Sequence, residues 1–374
     1  MKEISLYIHV PFCKQKCFYC DFPSYACKEG AMDEYVEALC KEITKRCNKY
    51  IIKSLFIGGG TPSYLEEESL KKLMETISAL EFKDKAEKSM ECNPGTVNRK
   101  KLEIIMKGGI NRLSFGLQTT KNELLKKIGR IHSYEEFIKN YSLAREIGFN
   151  NINIDMMFGL PNQNLSDWLN SLDEITKLNP EHISSYSLII EEGTAFDRLY
   201  SEGKLSLPSE EEERDMYRMG KELLISRGYH QYEISNFAKG EKECAHNKVY
   251  WQCEEYIGVG ASASSFVENK RIKNVDDISE YIDRVNRNIS ISEEVYENSR
   301  EDNIEEFMFM GLRMNKGIDE QEFIIRFGVN IDSIYKRLID KNIKAGLLIR
   351  NEGKIYLSQR GIELSNQVMS DMIL

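Results

Sequence analysis

The length, composition and charge of the chain exclude several classes of protein. Its 374 residues are enough for two domains, or for one large barrel with an appendage, at about 100 to 200 residues per domain. The 51 lysines and arginines against 60 aspartates and glutamates give a net charge of −9, which disfavours nucleic acid or an anionic membrane as a partner. With 41% apolar and 30% charged residues, the composition is that of a globular and not a low-complexity chain.

The N-terminal residues predict neither export nor membrane insertion. The start MKEISLYIHVPFC has no apolar core ending in a small-residue cleavage site, and no apolar run approaches the roughly 20 residues that span a membrane. We therefore expect a cytoplasmic protein that is not an integral membrane protein. In such a reducing compartment the nine cysteines indicate metal or redox chemistry more than disulfides.

Apolar runs of strand length alternate with amphipathic helical stretches from the start of the chain to about residue 230. This alternation predicts an α/β fold built from parallel βα units. The predicted strands are 4–10, 54–57, 88–92, 112–115, 151–157 and 182–190, and the helices lie near 31–47, 65–80, 98–107, 133–147, 165–177 and 209–227. Because a closed barrel usually needs eight units, we expect residues 1–235 to form an open, TIM-like partial barrel of six units. Functional groups should then lie at the C-terminal ends of the strands.

Residues 236–300 are predicted to form a β-rich extension and connector. Short β-like pieces are expected at residues 229–234 and 248–251, followed by a glycine-, alanine- and serine-rich loop at 257–266. The charged stretch 268–300 is typical of a connector with some helix.

Residues 301–374 form a separate unit with a winged-helix-like order of helices and hairpin. Apolar residues at 331, 334, 335 and 338 have helical spacing, and a hairpin-like segment at 347–357 turns at residues 351–353. Many winged helices bind DNA, but the acidic charge of this chain favours packing or partner docking. No nucleic acid partner is expected.

Three cysteines follow the first predicted strand in a C-x3-C-x2-C spacing, Cys13, Cys17 and Cys20. A loop with this spacing can wrap three thiolates around one inorganic centre. Structural zinc normally takes four nitrogen or sulfur ligands, whereas three thiolates on a 4Fe-4S cluster leave one iron open to a non-protein ligand. Two alternatives remain open from the residues alone: zinc completed by His9 or Cys27, and unligated buried thiols.

The passage YIHVPFCKQKCFYCDF at residues 7–22 resembles the signature of radical S-adenosylmethionine (radical SAM) proteins. The resemblance implies that the three cysteines hold a 4Fe-4S cluster and that its fourth iron chelates the amino and carboxylate groups of SAM. It also implies an electron donor, since one electron from the cluster cleaves the sulfonium of SAM to make a 5′-deoxyadenosyl radical.

Downstream segments follow predicted strands at positions that suit this chemistry. The run GGGTP at residues 58–62 lacks side chains that would block a close backbone approach to the methionine end of SAM. Carboxylates can accept hydrogen bonds from ribose hydroxyls, and an arginine can pair with a carboxylate through its planar fork. Each residue taken singly would more often cap a loop or form a turn, but together they favour a ligand site.

Over essentially its whole length the chain is similar to the oxygen-independent coproporphyrinogen III oxidase-like proteins. In that family the matching positions line the nucleoside site or sites. By this resemblance the SAM-binding residues are Tyr7, Tyr19, Gly59, Gly60, Thr61, Glu91, Gln118, Arg130, Asp155 and Ile189.

Two branches of this family differ in function, because one decarboxylates a porphyrinogen and the other carries heme. The oxidases have a further cysteine two positions after the third cluster ligand, where this chain has Phe22, and an N-terminal arm where only twelve residues precede Cys13. Both departures disfavour the oxidase, which stays the alternative function: oxidative decarboxylation of coproporphyrinogen III to protoporphyrinogen IX.

The segment HNKVYW at residues 246–251 matches the HNxxYW motif of the heme chaperone branch. The resemblance implies that the protein binds heme and transfers it to an acceptor hemoprotein. His246 is the candidate axial ligand, and Tyr250 and Trp251 offer flat apolar faces to a macrocycle. The alternative is a core turn with a satisfied histidine and a buried tryptophan. Ser264 departs from the family, whose members often have histidine there.

Overall fold

Six parallel strands form the wall of a partial barrel. The computed structural model describes all 374 residues. The strands are β1 (Lys2–Val10), β2 (Tyr50–Gly59), β3 (Phe82–Cys92), β4 (Arg112–Gln118), β5 (Ile152–Phe158) and β6 (His182–Ser187). They pair in parallel in chain order. The predicted α/β partial barrel of six units is therefore confirmed, although β6 ends at Ser187 and not at the predicted residue 190.

Helices cover the outer surface of the wall. They are α1 (Met32–Cys47), α2 (Glu67–Ser78), α3 (Arg99–Lys107), α4 (Asn122–Lys127), α5 (Tyr134–Ile147), α6 (Leu165–Lys177), α7 (Ala195–Ser201) and α8 (Glu210–Ser226). All but α4 and α7, the two short ones, were predicted to within two residues. Some of these helices begin with a capping box. At the start of α5, the Ser133 side chain accepts a hydrogen bond from the backbone N–H of Glu136, and the Glu136 side chain accepts one from the backbone N–H of Ser133.

Side chains alternate across the wall, as the pleat of a strand requires. In β4 the odd-numbered residues are leucine and phenylalanine, fully buried in an apolar core of 53 residues beneath the helices. The even-numbered residues of β4, together with the odd-numbered ones from 153 to 157 of β5, line an interior cavity. The interior of this barrel is thus largely polar, in contrast to the apolar layers of a closed barrel.

The sheet continues beyond the barrel on both sides. On the β6 side, the sheet adds two antiparallel strands, β8 (Asn236–Ala238) and then β7 (His230–Gln231). On the β1 side, it first adds a parallel strand, β9 (Tyr256–Val259). Three antiparallel strands follow: β10 (Ser264–Val267), β11 (Lys270–Asn274) and β12 (Ser292–Glu297). Two helices, α9 (Ala245–Trp251) and α10 (Ile278–Asn286), lie between these strands along the chain. The expected loop at 257–266 therefore includes strand ends, and the expected connector at 268–300 contains two strands and a helix.

Residues 248–251 are helical, so the predicted β-like piece is wrong. They end α9, whose first N–H groups are capped by the carboxylate of Glu87 in β3: it accepts from Ala245 N at 3.0 Å and from His246 N at 3.3 Å. An anion at a helix N-terminus stabilises the helix through its unpaired N–H groups and its dipole. The capping group comes from a distant strand, so the local sequence around residue 245 does not predict that a helix begins there.

The C-terminal unit has its own apolar core of 15 buried residues between Ile304 and Met372. Its elements are α11 (Arg300–Gly311), β13 (Ile318–Asp319), α12 (Glu320–Phe327), α13 (Asp332–Lys344), β14 (Leu348–Asn351), β15 (Lys354–Leu357), α14 (Gln359–Glu363) and α15 (Ser365–Ser370). The predicted helix is α13, and the predicted hairpin is the antiparallel pair β14 and β15. The division of the chain at residues 235 and 300 stays a prediction. No helix of the chain combines the length and the apolar character needed to cross a membrane.

Candidate active site

The barrel interior contains a cavity of about 650 Å³. Fifteen of the sixteen predicted site residues line it, and Trp251 does not. The fifteen are Cys13, Cys17, Cys20, Tyr7, Tyr19, Gly59, Gly60, Thr61, Glu91, Gln118, Arg130, Asp155, Ile189, His246 and Tyr250. The fold therefore gathers residues from Tyr7 to Tyr250, and their individual roles stay predictions.

The three-cysteine loop lies at the exposed mouth of the cavity. Cys13, Cys17 and Cys20 are partly exposed free thiols, and the loop is anchored where Cys13 N donates to Tyr25 O at 3.0 Å. Burial raises the pKa of the Cys13 thiol, and it raises that of Cys20 to about 11. Because the thiolate is the form that binds iron, we expect metal binding at this loop to release protons.

The zinc alternative lacks a fourth ligand. His9 Nε2 donates to Pro23 O at 2.8 Å, so its Nδ1 is the acceptor for the Tyr7 hydroxyl at 2.9 Å. Both ring nitrogens of His9 are thus occupied, and the exposed Cys27 does not line the cavity. No group of three or more His, Cys, Asp or Glu side chains is placed to hold one metal ion. The three thiols of a 4Fe-4S cluster bind separate irons and need not meet at one point.

Two glycines leave room for the loop that carries the cysteines. A Cβ on Gly60 would lie 2.7 Å from the carbonyl oxygen of Phe12, and one on Gly59, which has φ +108°, would overlap the ring of His9. The N–H groups of this run are already bonded, for example Gly60 N to Val10 O and Thr61 N to Phe12 O, both at 2.8 Å. The run therefore leaves space for a ligand to approach the backbone, as the sequence predicted, but these N–H groups are already engaged.

Two carboxylates line the middle of the cavity. Asp155 accepts hydrogen bonds from Ser114 Oγ at 3.1 Å and Asn153 Nδ2 at 2.6 Å, whereas Glu91 accepts only Gly59 N at 3.2 Å. Burial, and next the nearby charge of Asp155, raise the pKa of Glu91 to about 8. Glu91 is thus a largely protonated acid at pH 7 that a cationic ligand could ionise.

Arg130 and Gln118 leave polar atoms unpaired beside the thiols. Arg130 Nη1 donates to Cys17 Sγ at 3.5 Å, and Nη2 donates to Asn93 and to the carbonyl of Gly116. Arg130 Nε and Gln118 Oε1 are buried without partners, and Gln118 has a left-handed φ of +74°. Buried unpaired polar atoms are costly and indicate a missing partner. With three free thiols at the mouth, this donor set fits a 4Fe-4S cluster and a polar, nucleoside-sized ligand.

His246 and Tyr250 form a hydrogen-bonded pair at the buried end of the cavity. His246 is fully buried, stacks on Phe56 with ring centroids 5.5 Å apart, and lies 3.0 Å from Ser54 Oγ through Nδ1. Since Ser54 donates its own proton to Ser5, His246 Nδ1 carries hydrogen and Nε2 accepts from the Tyr250 hydroxyl at 2.9 Å. Burial lowers the pKa of His246 to about 3, which keeps the imidazole neutral.

Trp251 faces a different side of α9 from Tyr250, although the sequence grouped the two residues. It packs with Tyr232 and Met314, and the guanidinium of Arg313 lies 4.3 Å from its ring centroid. Neighbouring residues on a helix point about 100° apart, so one of the pair meets the cavity and the other meets the C-terminal unit.

Ile189 and Phe22 are 62% exposed at the mouth, and both line the cavity. Ser264 is exposed on β10 and lies outside the lining. Sequence reasoning missed several polar residues on the barrel floor and walls: Arg112, Ser114, Asn153, Ser184 and Asn236. The signal for most of them was the alternation of polar and apolar residues in RLSFGLQ and NINIDMM.

Two family models match the chain. The radical SAM superfamily matches residues 7–175, and the HemN C-terminal domain matches residues 298–364. The structure of coproporphyrinogen III oxidase (HemN) from Escherichia coli superposes with a TM-score of 0.87 at 24% identity, over 100% of this chain and 90% of that one, which shows a shared fold. The chain is a radical SAM protein of the oxygen-independent coproporphyrinogen III oxidase-like class.

Full-length relatives define the branch within this class. The chain is 40% identical to the heme chaperone HemW of Bacillus subtilis, over 97% of each chain. It is 35% identical to the heme chaperone HemW of Lactococcus lactis, over 100% of this chain and 98% of that one. The chain belongs to the HemW family.

Proposed function

We propose that this protein is a heme chaperone: it binds heme, a 4Fe-4S cluster and SAM, and it passes the heme to an acceptor hemoprotein. The observation that carries the proposal is that one cavity joins the three free thiols to the neutral imidazole of His246. The full-length similarity to relatives named heme chaperones supports the same function. All nine cysteines are free, which suits the reducing cytoplasm.

Cys13, Cys17 and Cys20 would hold the cluster, and the walls of the cavity would hold SAM. The bound cluster and SAM supply one-electron and radical chemistry, for which an electron donor is required. Arg130 Nη1 lies 3.5 Å from the Cys17 sulfur and would place a positive charge beside the cluster. Glu91 and Asp155 supply carboxylate oxygens to hydroxyl or ammonium groups, and Tyr7, through its hydrogen bond to His9, fixes the imidazole behind the glycine run.

His246 has the protonation state that an axial ligand of heme iron needs. Its Nδ1 bears the hydrogen and is oriented by Ser54, so the lone pair is on Nε2. The Tyr250 hydroxyl covers that lone pair at 2.9 Å. Heme ligation therefore requires the phenol ring to turn away, and we propose that this movement opens the heme site.

Titration with hemin under anaerobic conditions tests this assignment. The wild-type protein should shift the Soret band of hemin, and His246→Ala should weaken binding by at least about tenfold, because one iron–nitrogen bond is lost. Tyr250→Phe should keep the shift, since it removes the hydroxyl and leaves the imidazole free. Trp251→Phe is the matched control and should bind as the wild type does. An unchanged titration for His246→Ala would remove this residue from the site.

Turnover tests the alternative function. Incubation of the reconstituted protein with coproporphyrinogen III, reductant and SAM should yield no protoporphyrinogen IX. The reason is that Phe22 places an exposed phenyl ring where the oxidases have a cysteine beside the cluster. Sustained formation of protoporphyrinogen would make the protein an oxidase.

A further inference from the structure

Arg112 is a buried cation that lines the cavity and has no carboxylate partner. It is the first residue of β4, is 2% exposed, and lies among the buried polar residues at the floor of the barrel. No carboxylate oxygen lies within 4.0 Å of its guanidinium, although 26 other ion pairs occur in the chain. Among buried arginines, a bidentate carboxylate partner would be the ordinary arrangement.

The hydrogen bonds of Arg112 are also incomplete. Nη1 donates one long bond to Ser89 Oγ at 3.4 Å, Nε is buried without a partner, and Nη2 makes no hydrogen bond. A guanidinium has five N–H donors, so most of its capacity is unused. An unpaired buried charge is strongly destabilising, because the hydration it loses on folding is not replaced. Such a residue persists where a ligand supplies the missing partner.

The nearest carboxylates are engaged with other groups. Glu87 accepts from the N–H groups that begin α9 and from Cys244 Sγ at 3.4 Å. Asp155 accepts from Ser114 and Asn153. Both charges favour the cationic form of Arg112 from a distance, but neither carboxylate pairs with its guanidinium.

We propose that Arg112 binds a carboxylate of the ligand at the floor of the barrel. His246, the candidate ligand of the heme iron, lines the same cavity. A propionate of heme has this chemistry, so the proposal rests on the proposed function. The amino-acid carboxylate of SAM would instead be held at the cluster, at the mouth of the cavity.

One pair of probes tests the propionate: hemin, and hemin dimethyl ester, which lacks free propionates. SAM is the reference ligand, because its carboxylate would be bound at the cluster and away from Arg112. Affinities are measured by anaerobic titration of the reconstituted full-length protein and of Arg112→Gln and Arg112→Lys. Arg145→Lys is the matched control, because Arg145 is a partly buried arginine outside the cavity that pairs with Glu181 at 2.9 Å.

We expect the wild type to bind hemin at least about tenfold more tightly than hemin dimethyl ester. Arg112→Gln should abolish that preference, and Arg112→Lys should keep part of it, because lysine retains the charge without the fork. Equal preference for hemin over its ester in the wild type and in Arg112→Gln would overturn the proposal.

Equal weakening of hemin, its ester and SAM in Arg112→Gln would also overturn it, since that result marks a structural residue. Circular dichroism and the cluster absorbance of each variant check folding independently of binding. Failure of the wild type to bind hemin at all would refute the proposed function, whereas hemin binding with an unchanged preference in Arg112→Gln would refute only the role given to Arg112.

Discussion

The ionisation of Glu91 makes ligand binding in this cavity depend on pH. Its pKa of about 8 in the free protein arises mainly from burial and next from Asp155. At pH 7 about a tenth of the molecules then have an ionised Glu91, and at pH 9 about nine tenths do. If SAM, which carries a sulfonium and an ammonium group, binds the ionised form, its apparent affinity should rise about tenfold between pH 7 and pH 9, or about 1.4 kcal/mol.

The same reasoning predicts proton release. Binding of SAM at pH 7 should release close to one proton from Glu91, about 0.9 per site. Isothermal titration calorimetry in two buffers of different ionisation enthalpy measures this number, under anaerobic conditions with reconstituted protein. Glu91→Gln is the control, because any remaining pH dependence in it belongs to SAM or to other groups. Equal proton release in the wild type and in Glu91→Gln would refute the reasoning.

Three further predictions concern stability and cluster assembly. Cys17→Ser should abolish the visible absorbance of the reconstituted 4Fe-4S cluster, whereas Cys40→Ser, a buried thiol away from the cavity, should keep it. Gly60→Ala should lower the iron content of the reconstituted protein, because the new Cβ would lie 2.7 Å from Phe12 O and such overpacking costs about 1 to 3 kcal/mol. Gly30→Ala is the control and should have no effect, since no atom lies within 4 Å of the new Cβ. Glu87→Gln should lower the free energy of unfolding, measured in urea, by about 1 to 3 kcal/mol, because it weakens the cap of α9. Glu352→Gln, at an exposed position, is the control. A wild-type urea midpoint for Glu87→Gln would contradict the role given to that cap.

The pH dependence of stability gives a separate check on Glu91. A carboxyl whose pKa is raised by folding, from 4.5 to about 8, binds its proton more tightly in the folded state. Its contribution to stability is therefore full below pH 4.5 and is lost as the pH rises toward 8. The unfolding midpoint of Glu91→Gln relative to wild type should then increase between about pH 5 and pH 8 and level off above pH 8, which chemical denaturation measures.

The sequence by itself determined the features that depend on short stretches of chain. The spacing of Cys13, Cys17 and Cys20 brings three thiols into one loop whatever the rest of the fold does. The helix at Tyr134–Ile147 was predicted to within one residue, because its capping box and its periodicity are both local.

Tertiary structure decided the features that depend on distant partners. Residues 248–251 became helical because a carboxylate from β3 caps α9, a contact across more than 150 positions. The same helix directs Tyr250 to the cavity and Trp251 to the C-terminal unit, a difference between the two residues that the motif alone does not predict. In the sequence, nothing distinguishes Arg112 from the other polar residues of a predicted strand. Only the folded barrel shows that its charge lies buried without a carboxylate partner, because burial and pairing depend on which strands lie side by side.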